Sequence, residues 1–346
     1  MTGHGTNATP SGQEGYVFPL ALWTLAIIAV LLGAAFAAVS AANATFARLQ
    51  DRDQALSDFQ IAETQMLALL LTEPMGLSNL RVGGQLNLDP VSGGFGEGGE
   101  AVAAYGAPYL FDAAHGPVVV RLVAVNGLID LQDEPVRAAR ALLMAQGHDR
   151  AEAEQLAARL GDFIDQDDLR RLGGAEADDY PDGQAPRNAP LSTASEACGA
   201  LGWAETVSLC ADPRLLDLYA FAGGANAMTS RLAPNHLLMR LLDDETAVRR
   251  ARDALDDRNA LVRFSDLGIE GLEGLEENSA LPGPSFLIIT HRPNAAFIQV
   301  TRIDLTMASY YKPYDVVFTH VIGGQTIEGV FNVELDDTLA RLPQAG

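Results

Sequence analysis

Basic residues are scarce in this chain. Lys and Arg together number 23 against 45 Asp and Glu in 346 residues, a formal charge of −22. Nucleic acid is therefore excluded as a main partner, because phosphate binding needs a basic surface and would here be opposed over most of the molecule. Cysteine is nearly absent: Cys198 and Cys210 stand twelve positions apart, which rules out a disulfide framework and any C-x-x-C zinc or redox motif. In an oxidising compartment the pair closes one small loop, worth about 3 kcal/mol. In the cytosol it is two buried thiols. Enzyme signatures are also missing. There is no G-x-S-x-G, no Walker A loop and no H-E-x-x-H, and the histidines, among them His115, His148, His236, His291 and His320, are scattered. A catalytic function is not expected.

Charge is missing altogether from Gly15 to Ala47. About 20 apolar residues cross a 30 Å hydrocarbon core, and Val17 to Val39 meets that length. No second stretch does, so a single membrane span is expected. A cleaved signal peptide is the plain alternative, but its apolar core would be shorter and would follow a basic residue. Past the span, Phe46, Leu49, Leu56, Phe59 and Met66 recur among charges with no Pro or Gly, so the helix is expected to run on as an amphipathic stalk to about Leu71, before Pro74 and Gly76. Arg48 and Arg52 follow the span and none precedes it; a positive-inside count puts the C-terminal side in the cytoplasm.

The whole chain is 48% hydrophobic and long enough for roughly two domains. Residues 81–116 are Gly-rich and read as loop with one short strand. Val118–Val125 reads as a strand, followed by an Asn126-Gly127 turn signal. Pro135 opens a helix that Gly147 stops, and Asp149 caps the next, giving a helical hairpin. A faint second copy aligns Pro234 with Pro135 and Leu241-Leu242 with Leu142-Leu143. Such hairpins also occur in DNA-binding modules, but the turn Gly147-His148-Asp149-Arg150 has acids nearby, and packing is the better reading. Trp203 and the GWAET stretch read as core beneath the Cys198–Cys210 loop. After Gly283, the segments FLIITHR, AFIQVTRIDLTMA, DVVFTHVI and TIEGVFNVEL are strand-like, with a hairpin at Gly323-Gly324. Strands on both sides of a helical block give an α+β class with an antiparallel sheet.

The segment from Gly161 to Asp182 concentrates acid. Asp162, Asp165, Asp167, Asp168, Glu176, Asp178, Asp179 and Asp182 face only Arg170 and Arg171. Clustered loop carboxylates suit a hard cation such as calcium. The Asp165-x-Asp167 spacing fails as an EF-hand, with Leu169 and Arg170 where a ligand and a glycine are needed. The plain alternative is a solvated loop with the two arginines as internal partners.

Taken together, the chain resembles the general secretion pathway protein K family, the large minor pseudopilins of type II secretion. The resemblance rests on Gly15-Tyr16-Val17-Phe18 before the uncharged helix, on NGLIDLQDEPVRAARALL, DFIDQDDLRRLGGAEADDY and PRNAPLST, and on the second helical copy followed by strands. Two features depart from the pilin pattern. Gln13 and Glu14 replace the usual basic residues before the glycine, and Leu20 stands at the fifth mature position, where most pseudopilins carry glutamate and protein K does not.

The resemblance implies a leader over 1–15 cut by prepilin peptidase between Gly15 and Tyr16, with N-methylation of Tyr16. It implies a membrane and stalk helix over 16–72, a pseudopilin β region over 73–125 and 284–346, and a helical insert over 126–283. Calcium is implied in the helical region, on Asp165, Asp167, Asp168, Glu176, Asp178 and Asp179. Anchorage in the inner membrane with a periplasmic main domain is implied, which sets Cys198 and Cys210 where a disulfide forms. Minor pseudopilins I and J and the secretion apparatus are the implied partners, and the pseudopilus tip the implied place. A membrane-anchored DNA receptor using the hairpins, and a membrane-tethered periplasmic hydrolase, are the alternatives. The first requires a basic face and the second a catalytic cluster.

Overall fold

The computed structural model describes residues 17–86, 96–181, 183–223, 228–257, 261–269, 271–272, 275–276, 281–293, 296–306, 312–323, 331 and 339–344. Gly15, Tyr16 and Asp182 lie outside them, as do Gly324 and all of the expected strand at 326–335 except Phe331. The chain forms two compact units, Met1–Ala55 and Leu56–Gly346.

Helix α1 (Val17–Thr72) begins in the first unit. Pro19 falls in its first turn, where a missing N–H costs nothing. Its side chains from Phe18 through Asp53 are exposed, including Trp23, Leu31 and Phe36. The helix is long and apolar enough to cross a membrane, with a mean hydropathy of 2.5 over its best window. It is a candidate membrane anchor.

In the second unit the same helix buries Phe59, Ala62, Met66 and Leu69, a stripe at helical spacing. After it, β1 (Asn79–Val82) pairs with β4 (Glu100–Ala103), and β2 (Gln85–Leu86) with β3 (Gly96–Glu97), all antiparallel. The main sheet follows. It takes β5 (Tyr105–Ala113) and β6 (Gly116–Ala124) from one side of the helical block, and β9 (Ser285–His291), β10 (Phe297–Leu305) and β11 (Tyr314–Gly323) from the other. The order is β11-β10-β9-β6-β5, antiparallel throughout. The stalk part of α1 is tied to this sheet by polar contacts. Buried Asp58 accepts from Arg292 at 2.8 Å and meets His115 at 3.0 Å; Glu63 accepts from Gln299 at 2.8 Å and Thr301 at 3.0 Å.

β5 corrects the sequence reading, which has this stretch as mostly loop. Gly106 and Pro108 hide the strand. It lies at the sheet edge, where a proline's missing donor is tolerated, and its pairing with β6 is bulged between Tyr105 and Pro108. The outer side of that edge is covered by the C-terminal segment: Leu110 N–H donates to Ala340 O at 2.9 Å, and Leu342 N–H to Leu110 O at 2.8 Å.

β6 and β9 are neighbours in the sheet, so everything between them is an excursion from one strand to its partner. It contains β7 (Ile129–Asp130), α2 (Pro135–Ala145), α3 (Arg150–Ile164), α4 (Trp203–Thr206), β8 (Ala220–Phe221), α5 (Asn235–Leu242) and α6 (Glu245–Asp256). Pro135 opens α2 and Gly147 ends it with φ +90°; the Asp149 side chain caps α3 by accepting from Glu152 N–H at 2.9 Å. The second hairpin has Asp244 as cap, accepting from Thr246 and Ala247 N–H at 3.1 Å each.

Asn126, read as a turn residue, is fully buried and clasps the neck of the excursion. Its amide donates to Leu281 O at 2.9 Å and its carbonyl accepts from Gly283 N–H at 3.0 Å. Gly127 is required by a close approach: a Cβ there would stand 2.1 Å from Leu232 O. The excursion is not a separate body, because one core joins Val123, Leu287, Ile289 and Val300 of the sheet to Leu142, Leu160, Leu237 and Val248 of the helices. Arg302 of β10 reinforces the joint by donating to Ala222 O at 3.2 Å and Gly223 O at 3.0 Å.

Cys198 and Cys210 are joined in a disulfide, with Cα atoms 5.6 Å apart. Inside the loop Trp203 is fully buried, whereas Ala204, Glu205 and Thr206 are exposed, so the core reading holds for Trp203 but not for the rest of GWAET. Replacing both cysteines by serine is expected to cost about 3 kcal/mol through the freed unfolded chain. A fall in the urea midpoint of the full-length protein in detergent checks this, and an unchanged midpoint contradicts it.

Candidate functional site: the acidic loop after helix α3

The site is built on the C-terminal end of α3, where the helix dipole is negative and carboxylates are disfavoured. Asp162 in the last turn is nonetheless fully buried. Arg171 makes this tolerable. Its backbone N–H donates to Asp162 Oδ2 at 3.1 Å, its Nη1 donates to Asp162 Oδ1 at 2.7 Å, and the same Nη1 reaches Asp165 Oδ2. The chain returns through Gly173, at φ +81°, and Gly174, where a Cβ would lie 1.9 Å from Asp162 Oδ2. Gly174 is thus dictated by the approach of the loop to Asp162, and Gly173 by its left-handed backbone.

Beyond them stands Glu176, only 8% exposed. Asp179 caps this turn from one side only. The Asp179 carboxylate accepts from Glu176 N–H at 3.0 Å, yet neither Glu176 carboxylate oxygen has a hydrogen-bond donor. Burial pushes the Glu176 carboxyl up, and the charges of Asp162, Asp165, Asp168 and Asp167 push it further. Asp165 Oδ1 is likewise buried without a partner. Asp167 turns back on its own loop and accepts from Leu169 N–H at 2.8 Å, and Asp179 pairs with Arg170 at 3.0 Å. Asp167, Asp168, Asp178 and Asp179 are exposed.

The structure therefore brings Asp165 and Glu176 into a shared acidic field with two exposed aspartates, and leaves Asp178 uninvolved in any described contact. Among the described residues no three His, Cys, Asp or Glu side chains already stand in ligating geometry. Arg171 takes two of the carboxylates instead. The expected ligand set omitted Asp162, and nothing in it flagged Arg171 over Arg170; the signal available was that Asp162 sits one helical turn before Asp165. The donor chemistry fits a hard cation: buried, unpartnered carboxylate oxygens are what such an ion would satisfy. Tyr180 links this loop to the disulfide loop, its hydroxyl accepting from Leu201 N–H at 3.2 Å.

Between the two hairpins lies a groove of about 820 Å³ lined by Met144, Tyr219, Met239, Arg240, Asp243 and Glu245 among others. Arg240 and Arg249 are balanced there by the two acids, so this groove is not the basic face that a DNA receptor requires.

The fold and site define a protein with a candidate N-terminal membrane anchor and an antiparallel sheet interrupted by a helical excursion with an acidic loop. Residues 120–213, from β6 through the disulfide loop, match the family model of the type II secretion system protein K. That stretch is similar to this component of a secretion apparatus. A comparison with curated proteins found no match. Among solved structures, a chain of the GspK-GspI-GspJ complex from the type 2 secretion system of enterotoxigenic Escherichia coli is similar. It is 16% identical with a TM-score of 0.48, over 80% of this chain and 98% of that one.

Proposed function

We propose that this chain is a minor pseudopilin at the tip of the type II secretion pseudopilus, where it assists assembly of the filament and export of folded proteins. The observation that carries the reading is the protein K match over residues 120–213, joined to the one apolar helix among the described residues long enough to cross a membrane, which begins at Val17. The place at the tip is supported by two features. The helical excursion is bulky, and a lattice of subunits each bearing one would clash. The helix carries Leu20 in place of the usual glutamate, as suits a first subunit with no N-terminal amine ahead of it to neutralise. Minor pseudopilins I and J are the proposed partners. The role is assembly and not catalysis.

The proposed location is the inner membrane with the main domain in the periplasm. The Cys198–Cys210 disulfide supports an oxidising compartment. It outweighs the positive-inside count, which rests on Arg48 and Arg52 with Asp51 and Asp53 beside them. In the acidic loop, Asp165 and Glu176, with Asp167, Asp168, Asp178 and Asp179 around them, would hold calcium. The ion would supply the positive charge that their buried oxygens lack.

Mass spectrometry of the N-terminal peptide, on protein taken from its host membrane, tests the reading. A chain starting at N-methylated Tyr16 is expected. An intact Met1, or cleavage near Ala41, removes the filament reading.

A further inference from the structure

We propose that Arg171 is a built-in competitor for the cation at the acidic loop. The inference rests on the calcium reading above and concerns how tightly this chain holds the ion. Asp165 is the shared group. Its Oδ2 is taken by the Arg171 guanidinium, while its Oδ1 is buried without a donor, in the same acidic field as the two unpartnered oxygens of Glu176. A calcium ion drawn to Glu176 therefore meets a carboxylate already neutralised on one side.

Asp162 makes the competition asymmetric. It is fully buried, and beyond the Arg171 guanidinium its described donor is the Arg171 backbone N–H. Pulling the guanidinium away exposes Asp162 to the cost of a buried, half-paired charge, so the arginine resists displacement. It is still free to move, since its side chain is 41% exposed. The consequence is a loop that keeps its shape through an internal ion pair and binds calcium more weakly than its carboxylates alone would allow. Arg170 pairs instead with Asp179, an outer carboxylate of the set, on the exposed side.

The test is isothermal titration of calcium alone into the full-length protein in detergent, for wild type, Arg171→Gln, Arg171→Lys and Glu176→Gln. Arg171→Gln is expected to bind calcium at least tenfold more tightly, and its melting temperature to rise more on calcium addition than that of wild type. Arg171→Lys keeps the charge but not the fork, and is expected to fall between the two. It also serves if the glutamine variant does not fold without calcium. Equal or weaker binding in the arginine variants, with binding lost in Glu176→Gln, overturns the competitor role and leaves the calcium reading standing. No binding in any of the four proteins overturns both.

Discussion

Lowering the pH from 7 to 4 is expected to strip stability from the junction between sheet and helices. His236 of α5 and His291 at the end of β9 are both buried there. Loss of hydration pushes each pKa down to about 4, and the positive charge of Arg121 adds to the effect. The three gather around Phe331, with ring separations of 5.4 Å and 6.3 Å and the Arg121 guanidinium 5.6 Å from its centre. His236 Nε2 bonds Leu218 O at 2.7 Å and His291 Nδ1 bonds Arg292 O at 3.0 Å, while His291 Nε2 is buried without a partner. Among the described residues neither histidine has a carboxylate partner.

In the unfolded chain both histidines titrate near pH 6.5, so between about pH 6.5 and 4 the unfolded state binds protons that the folded state refuses. The stability is fully present above that window and is lost as the pH falls through it. The ceiling is about 3 kcal/mol for each histidine. Glu63, Asp130, Glu176 and Glu276 work the other way, since burial raises their pKa values and their protonation favours the folded state. The net loss is therefore smaller than the two ceilings combined. Urea unfolding across this range isolates the histidines. His236→Leu and His291→Leu are each expected to lower stability at pH 7 and to flatten its slope between pH 6.5 and 4 by up to one proton. A slope left unchanged in both would sink the assignment.

What the sequence announced and what it concealed follow from the range of the forces involved. Local signals were legible: the charge-free run behind α1, Pro135 and Gly147 bounding α2, Asp149 capping α3, and the β-branched stretches of β6, β9 and β10. Each is decided within a few residues. β5 was concealed because edge strands accept glycine and proline that argue against a strand. The parallel pair β7–β8 joins Ile129 to Ala220 over two residues a side, too short for any periodicity. Asn126 and Gly127 do form a turn, over Val125–Gly127, but the composition signal concealed what else they do. They also serve as a clasp to Leu281 and Gly283 and a close approach to Leu232, partners distant in the sequence. The acidic loop was legible as a cluster and not as a geometry. Which arginine neutralises which aspartate depends on where α3 ends relative to the return of the loop, and no spacing rule carries that.

Trp203→Ala is expected to cost about 3–5 kcal/mol, the range for removing a buried aromatic side chain. The ring is fully buried inside the disulfide loop, and its Nε1 donates to Leu156 O at 2.9 Å, fastening the loop to the middle of α3. The chain reaches the ring's position through Gly202, at φ +82°, a left-handed backbone that favours glycine, beside Arg159. Arg159 in turn donates to Leu201 O at 3.2 Å, so the tryptophan, the arginine and the disulfide fix one short segment. Two consequences separate this account from a general loss of packing. Trp203→Phe should recover most of the stability, because the ring's volume matters more than one exchangeable hydrogen bond. Trp203→Ala combined with Cys198→Ser and Cys210→Ser should cost less than the separate losses added together, because each change frees the same segment. Full additivity in urea unfolding of the detergent-solubilised protein would mean that the disulfide and the tryptophan act independently. The disulfide loop would then be tied to α3 through Arg159 and Leu201 as well as the tryptophan.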